Sequence, residues 1–186
     1  MDTEDHLCPS VTSLDAVECK ISSVLTGYFE DPFLRRISDH IQHTRKMPII
    51  NRGYYNRIKC IHDVVNTFIS LCIHESRIQL VNLGAGYDTL SLNLLTTNTS
   101  LPLFCFEVDF ATVLARKSRL LEYHCTDLLP SSAERHLKHV AADLGDASGV
   151  LLGLEAAGFD PAAPTIFITE CVLVCKWIYC CILVFI

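Results

Sequence analysis

A glycine-containing turn occupies residues 81–89, with the sequence Val-Asn-Leu-Gly-Ala-Gly-Tyr-Asp-Thr. It follows an apolar run and precedes a helical pattern, which predicts a buried strand, a turn and a helix start. Gly84 and Gly86 have no Cβ, so the backbone can turn sharply and a ligand can come close. The amide N–H groups that open the next helix carry the positive end of its dipole. The turn therefore predicts a site for a nucleotide-like cofactor.

Carboxylates follow three of the four predicted strands. The first strand ends at Gly84, and the next three end at Asp109, Asp143 and Glu170. In open α/β sheets ligands bind beyond the carboxyl ends of the strands, so these groups should converge on one rim. Such a rim would repel a pyrophosphate, and Thr89 stands where a dinucleotide-binding loop prefers glycine or alanine. A ligand with hydroxyls, an amine and a positive centre fits better, which favours S-adenosylmethionine over NAD.

The carboxylate of such a ligand needs a cation. Three candidates precede the first strand, namely Lys20, Arg52 and Arg57. Arg57 lies beside the apolar stripe of its predicted helix, so a surface role is an alternative interpretation.

The acidic residues also have structural interpretations. Asp88 is interpreted as the N-cap of the next helix, and Asp109 fits a helix N-cap as well as it fits a ligand site. Asp143 begins an Asp-Leu-Gly-Asp sequence that is good turn chemistry. Glu170 interrupts an apolar run, where an unpaired charge would be costly, so it is expected to meet a partner.

The elements that position these residues change pattern at residue 78. Helical spacing predicts helices at about 13–26, from Asp31-Pro32, and at about 54–72. Strands are predicted at 78–83, 103–108, 137–142 and 165–169, with helices after Asp88 and at about 111–123 and 147–157. Arg116, Lys117 and Arg119 are predicted to face solvent. Alternating strands and helices indicate a doubly wound α/β fold with a parallel sheet and an extra layer of N-terminal helices.

Composition excludes several classes of protein. The chain has 186 residues, half of them hydrophobic, which suits one domain with a sizeable core. A net charge of -6 argues against nucleic-acid binding. The ten cysteines are scattered and form no paired zinc pattern, so no metal site is expected and reduced thiols of a cytoplasmic protein are the favoured interpretation. The acidic N-terminus does not look like a signal peptide.

Five motifs, in order and spacing, carry a resemblance to the leucine carboxyl methyltransferase family. They are Asn51–Arg57, Val81–Thr89, Phe106–Phe110, Ala142–Leu144 and Thr169–Val174. The resemblance implies a class I S-adenosylmethionine-dependent methyltransferase fold, Rossmann-like, with an incomplete sheet. It also implies methylation of the C-terminal leucine α-carboxylate of the protein phosphatase 2A catalytic subunit, which would be the partner.

The resemblance also implies cofactor-binding roles, and it assigns no catalytic side chain. Arg57, and less directly Lys20, would hold the methionyl carboxylate, while Gly84 would lie under the methionyl group and Glu170 would face its amine. Asp109 would hold the ribose hydroxyls. Asp143 and Leu144 would flank the adenine.

The last residues depart from the family pattern at Cys175. We expect a flexible leader at 1–13, the N-terminal part of a methyltransferase domain at 14–174 and a divergent apolar tail at 175–186. From Trp177 the tail is too short to span a bilayer, so no membrane association is expected. These features suggest a C-terminally truncated form with an open sheet edge. The alternative function is a form without catalysis that retains partial binding of cofactor or phosphatase.

Overall fold

The computed structural model describes residues 9–129, 133–172 and 182–185. The strands are β1 (Ile78–Leu83), β2 (Leu103–Asp109), β3 (Leu137–Ala141), β4 (Thr165–Ile168) and β5 (Ile182–Phe185). The helices are α1 (Pro9–Leu25), α2 (Pro32–Ile37), α3 (Pro48–Leu71), α4 (Leu90–Thr97), α5 (Ala111–His124), α6 (Ala133–His136) and α7 (Ala147–Ala156), with a 3₁₀ turn at Ser38–His40.

The sheet has the strand order β3-β2-β1-β4-β5. The first four strands run parallel, and β5 pairs antiparallel with β4. Leu83 is level with Val108, and Asn82 is level with Ile168, so the carboxyl ends of the parallel strands lie on one rim. This confirms the α/β class, the parallel sheet and the extra N-terminal helices.

Both faces of the sheet are buried, because the strands consist of nearly continuous apolar runs. On one face, α3 and α4 pack over β1, β2 and β4 through Phe68 and Leu95. On the other face, Phe106 and Val140 pack with Leu154 of α7. A third cluster joins α1 and α2 to α5. The N-terminal helices are thus anchored beside the rim.

Helix starts agree with the sequence only in part. Asp31 is the N-cap of α2, as predicted, and its side chain accepts a hydrogen bond from the Leu34 amide at 2.9 Å. Helix α1 begins at Pro9 rather than near residue 13, and α3 begins at Pro48 rather than near residue 54. In both cases proline occupies the first helical position, where its missing N–H costs nothing.

The apolar tail contributes to the sheet. Residues 182–185 form β5, which covers the outer edge of β4, so the expectation of an open edge there is wrong. The rest of the predicted tail and residues 1–8 of the predicted 1–13 leader lie outside the described residues, whereas residues 9–13 of that leader are part of α1. No helix in the described ranges is both long enough and apolar enough to cross a membrane.

Candidate functional site

A cleft of about 430 Å³ opens at the rim formed by the strand ends. Its walls are α1, α3, the turn after β1 and the segment after β4. Polar residues that line it include Lys20, Arg57, Asn82, Asp88 and Glu170.

The glycine turn forms the floor of the cleft. Gly84 has φ +74° and Gly86 has φ +50°, a backbone region that favours glycine. A Cβ at Gly84 would overlap Val172 Cγ2, whereas a Cβ at Gly86 would meet only Ser13, at 3.7 Å. The Gly84 and Ala85 amides donate to the Val108 carbonyl and fix the turn to β2. The turn predicted from sequence is therefore present, and it requires glycine at residue 84.

Four charged side chains form an alternating array across the cleft. Arg57 Nε donates to Glu170 Oε1 at 2.9 Å, and Lys20 Nζ donates to Glu170 Oε2 at 2.7 Å. Lys20 Nζ also donates to Asp88 Oδ1 at 2.9 Å. Asn82 Nδ2 completes the array by donating to Asp88 Oδ2 at 3.0 Å. The expectation that Glu170 meets a partner is confirmed, because it meets two cations.

The Lys20–Asp88 pair of the array is ionised at neutral pH. Burial alone would lower the pKa of Lys20, but Asp88 and Glu170 outweigh burial and the net shift is upward. Burial would raise the pKa of Asp88, and the Lys20 ammonium reverses this so that the net shift is downward. Two cations and two anions thus offer paired recognition for a zwitterionic ligand group.

The interpretation of Asp88 as a helix N-cap is wrong. Thr89 is the N-cap of α4, and Asp88 turns its side chain to Lys20 instead. The start of α4 is held in another way, because Thr89 Oγ1 and Asn93 Nδ2 both donate to Asp31 Oδ2, at 2.5 and 2.8 Å. A helix cap is recognised from neighbouring residues, whereas Lys20 is 68 residues from Asp88 in sequence. The local pattern therefore predicted the wrong partner for Asp88.

Asp109 binds the backbone of the glycine turn and is not among the described residues that line the cleft. Its Oδ2 accepts from the Gly86 amide and its Oδ1 from the Phe110 amide, both at 2.7 Å. Phe110, not Asp109, is the N-cap of α5. Asp109 is 8% exposed, and it ties the end of β2 to the turn.

Asp143 and Leu144 follow β3 at the neighbouring position on the rim. Ala142 donates its amide to the Asp109 carbonyl, which places the two strand ends side by side. The exposed Asp143 accepts from the Gly145 amide at 2.8 Å, as expected of turn chemistry. Leu144 is half-buried against the cluster on the α7 face of the sheet. The described lining of the cleft includes Lys20, Arg57, Gly84 and Glu170 but not Asp109, Asp143 or Leu144.

Two other predictions concern basic residues. Arg52 is exposed on α3 and does not join the described array. Lys117 was predicted to face solvent and is instead 1% exposed, with its Nζ 2.6 Å from Glu107 Oε2. A signal for this was present, because Lys117 lies four residues after Val113 and four before Leu121, on the apolar side of α5.

One contact in the cleft was not anticipated. The Arg57 guanidinium lies over the Tyr54 ring, with 4.3 Å from Cζ to the ring centroid. This stacking holds the arginine on the α3 side of the cleft while its Nε pairs with Glu170. Among the described residues, no group of three histidine, cysteine or acidic side chains could hold a metal ion.

The sequence that builds this site matches a known protein family over most of its length. Residues 10–175 match the family model described as "Leucine carboxyl methyltransferase". The chain belongs to the leucine carboxyl methyltransferase family. The Rossmann-like sheet agrees with membership in this family of methyltransferases.

Individual relatives agree with the family match. "Leucine carboxyl methyltransferase 1" of Rattus norvegicus is 33% identical over 88% of this chain and 52% of its own length. The Bos taurus protein of the same name is 31% identical over 93% of this chain and 55% of its own length. That of Caenorhabditis elegans is 30% identical over 88% and 54%. The chain thus spans about half the length of the curated relatives it matches.

Proposed function

We propose that this chain binds S-adenosylmethionine in the cleft and transfers its methyl group to a C-terminal leucine α-carboxylate. The protein phosphatase 2A catalytic subunit is the proposed substrate and partner. The observation that carries the proposal is the array of Arg57, Glu170, Lys20 and Asp88 at the carboxyl ends of parallel strands. Membership in a methyltransferase family supports the reaction type.

The array fits the amino-acid end of S-adenosylmethionine. This end is a zwitterion with one carboxylate and one ammonium, and the cleft offers cations and anions in alternation. Arg57 would hold the carboxylate, because its fork of N–H donors has capacity beyond the single Nε bond to Glu170. Glu170 would face the ammonium, and Lys20 would keep Glu170 in place. The absence of phosphate from this ligand suits walls that carry carboxylates.

The adenosine end would extend along the rim over β2 and β3. Gly84 would lie under the ligand, and its lack of a Cβ leaves room for Val172 to pack against the turn. Asp109 would accept from the ribose hydroxyls with lone pairs left over from its two amide bonds. Asp143 and Leu144, beside Asp109 on the rim, would flank the adenine.

The proposed reaction requires positioning more than proton transfer. When bound, S-adenosylmethionine supplies an activated methyl group on a sulfonium. The acceptor carboxylate is already ionised at neutral pH, so no general base is needed. The residues of the cleft would bind and orient the ligand and exclude water. A cytoplasmic location is proposed alongside, in keeping with the lack of disulfides among the six cysteines that the structure describes.

A radiolabelled methyl-transfer assay tests the proposal. The chain is incubated with methyl-labelled S-adenosylmethionine and a peptide that ends in the leucine of the phosphatase tail. We expect the peptide to become labelled. Base hydrolysis should then release the label as methanol, because the product is a methyl ester. The matched control is the same peptide with a C-terminal amide, which should take up no label. Cofactor binding without a labelled ester would contradict the enzymatic proposal and favour a binding protein.

A further inference from the structure

A cluster of charged side chains joins β2, β3 and α5. Glu107, near the end of β2, is fully buried. Its Oε2 lies 2.6 Å from Lys117 Nζ on α5 and 3.2 Å from His139 Nε2 on β3. None of these three residues belongs to the described lining of the cleft. The proposed reaction gives them no role, so another reason is needed for placing a full ion pair in the core.

The Glu107 carboxylate is held by two donors. A carboxylate oxygen can only accept, so Lys117 Nζ and His139 Nε2 both donate to Glu107 Oε2. The other ring nitrogen, His139 Nδ1, lies 3.1 Å from Ser118 Oγ. Burial would raise the pKa of Glu107, but Lys117 and the hydrogen bond from His139 outweigh it, and the net shift is downward.

Lys117 also reaches the glycine turn itself. Its Nζ donates a hydrogen bond to the backbone carbonyl of Asp88. The same residue, Asp88, holds Lys20 through its side chain, and Lys20 holds Glu170. A continuous path of charge-assisted hydrogen bonds therefore runs from the buried carboxylate of Glu107 to the array in the cleft.

We propose that Lys117 is a positioning residue of this site, anchored by Glu107, which fixes the backbone of Asp88 and thereby the charged array. The link to cofactor binding rests on the proposed function. A helix residue outside the described lining of the cleft thus sets the affinity of the site by holding the backbone of Asp88. His139 keeps the Glu107 carboxylate pointed at Lys117.

The experiment compares Lys117→Met, Glu107→Gln and the double variant with the unmodified chain. The double variant removes both charges of the buried pair and keeps an amide acceptor for His139, so it should regain most of the stability that either single change loses. It cannot regain the bond to the Asp88 carbonyl. We therefore expect the urea midpoint of the double variant to approach that of the unmodified chain. Its Kd for S-adenosylhomocysteine should remain at least tenfold higher than the Kd of the unmodified chain.

A purely structural role predicts a different result. In that case, affinity recovers together with stability in the double variant, and this outcome would overturn the proposal. The matched control is Lys59→Met, which removes an exposed lysine that pairs with Asp63 on α3. It should leave both the urea midpoint and the Kd unchanged.

Two ligand-free readouts separate this proposal from the proposed function. Amide hydrogen exchange at Gly86 and Asp88 should be at least tenfold faster in the double variant, with exchange at Leu154 of α7 unchanged. In the unmodified chain, NMR of the Lys117 ammonium should show slow exchange and a through-hydrogen-bond correlation to the Asp88 carbonyl carbon. Absence of that correlation, or unchanged exchange in the turn, refutes the role of Lys117 even if the cofactor binds. Failure of the unmodified chain to bind cofactor refutes only the proposed function.

Discussion

Replacing Gly84 with alanine adds one methyl group at the most constrained point of the cleft floor. The φ of +74° costs an L-residue about 1–2 kcal/mol relative to glycine. The new Cβ would also overlap Val172 Cγ2 and lie 3.1 Å from Cγ1, and relieving such an overlap costs about 1–3 kcal/mol more. Gly84→Ala should therefore lower the free energy of unfolding by about 2–5 kcal/mol, a large share of the roughly 5–15 kcal/mol of a typical domain.

Matched variants separate the two contributions. Gly27 has φ +80°, and no described atom lies within 4 Å of the position that its Cβ would take, so Gly27→Ala carries only the backbone cost. The double variant Gly84→Ala/Val172→Ala removes the overlap and should return towards the Gly27→Ala value. Urea unfolding followed by far-UV circular dichroism gives the free energies. Calorimetry with S-adenosylhomocysteine gives the affinity, which should fall most in Gly84→Ala because the floor must move.

Equal destabilisation by Gly84→Ala and Gly27→Ala would refute the steric part of this reasoning. Failure of Val172→Ala to rescue Gly84→Ala would show that the segment after β4 does not limit the turn. A stability unchanged in both single variants would refute the backbone part as well.

The remaining predictions concern charges. Asp109→Ala removes the acceptors of two backbone amides, so the free energy of unfolding should fall by about 2 kcal/mol. The Kd for S-adenosylhomocysteine should rise at least tenfold. Unchanged binding would refute the ribose assignment. Glu170→Gln leaves Lys20 without one of its two carboxylates and should weaken binding in calorimetry, and tighter binding would contradict the array. Burial would raise the pKa values of Asp88 and Glu107, but cationic partners hold both below their ordinary values of 3.8 and 4.5. Their stabilisation is therefore present above those values and lost as pH falls below them. As the pH is lowered from about 5 to about 3, the urea midpoint should decrease, and it should decrease less in Glu107→Gln/Lys117→Met than in the unmodified chain. An equal decrease in the two proteins would contradict this.

The strands and the rim were predictable because their signals are local. Apolar runs that end in glycine or a carboxylate identify buried parallel strands, and β1 begins and ends where its run does. Glu170 was also predictable as a paired charge, since an apolar run cannot hold a lone carboxylate. Its partners were not identified from the sequence. Lys20 and Arg57 were predicted to hold the ligand carboxylate, and they are 150 and 113 residues from Glu170 in sequence.

Other features depend on contacts that the sequence does not display. The start of α3 was predicted six residues too late, because the first turn of this helix is largely exposed and lacks an apolar stripe that would mark it in the sequence. Lys117 was misplaced because it lies between basic neighbours, and its partner Glu107 is on a different element. Asp88 matched a capping pattern, yet its ion pair with Lys20 determines where its side chain points.

The most direct test of the account is calorimetric titration of S-adenosylmethionine into the unmodified chain and into Arg57→Gln. We expect one site per chain and a Kd at least tenfold higher in the variant, because the variant loses the cation proposed to hold the ligand carboxylate. Absence of binding to the unmodified chain, or equal affinity for both proteins, would contradict it.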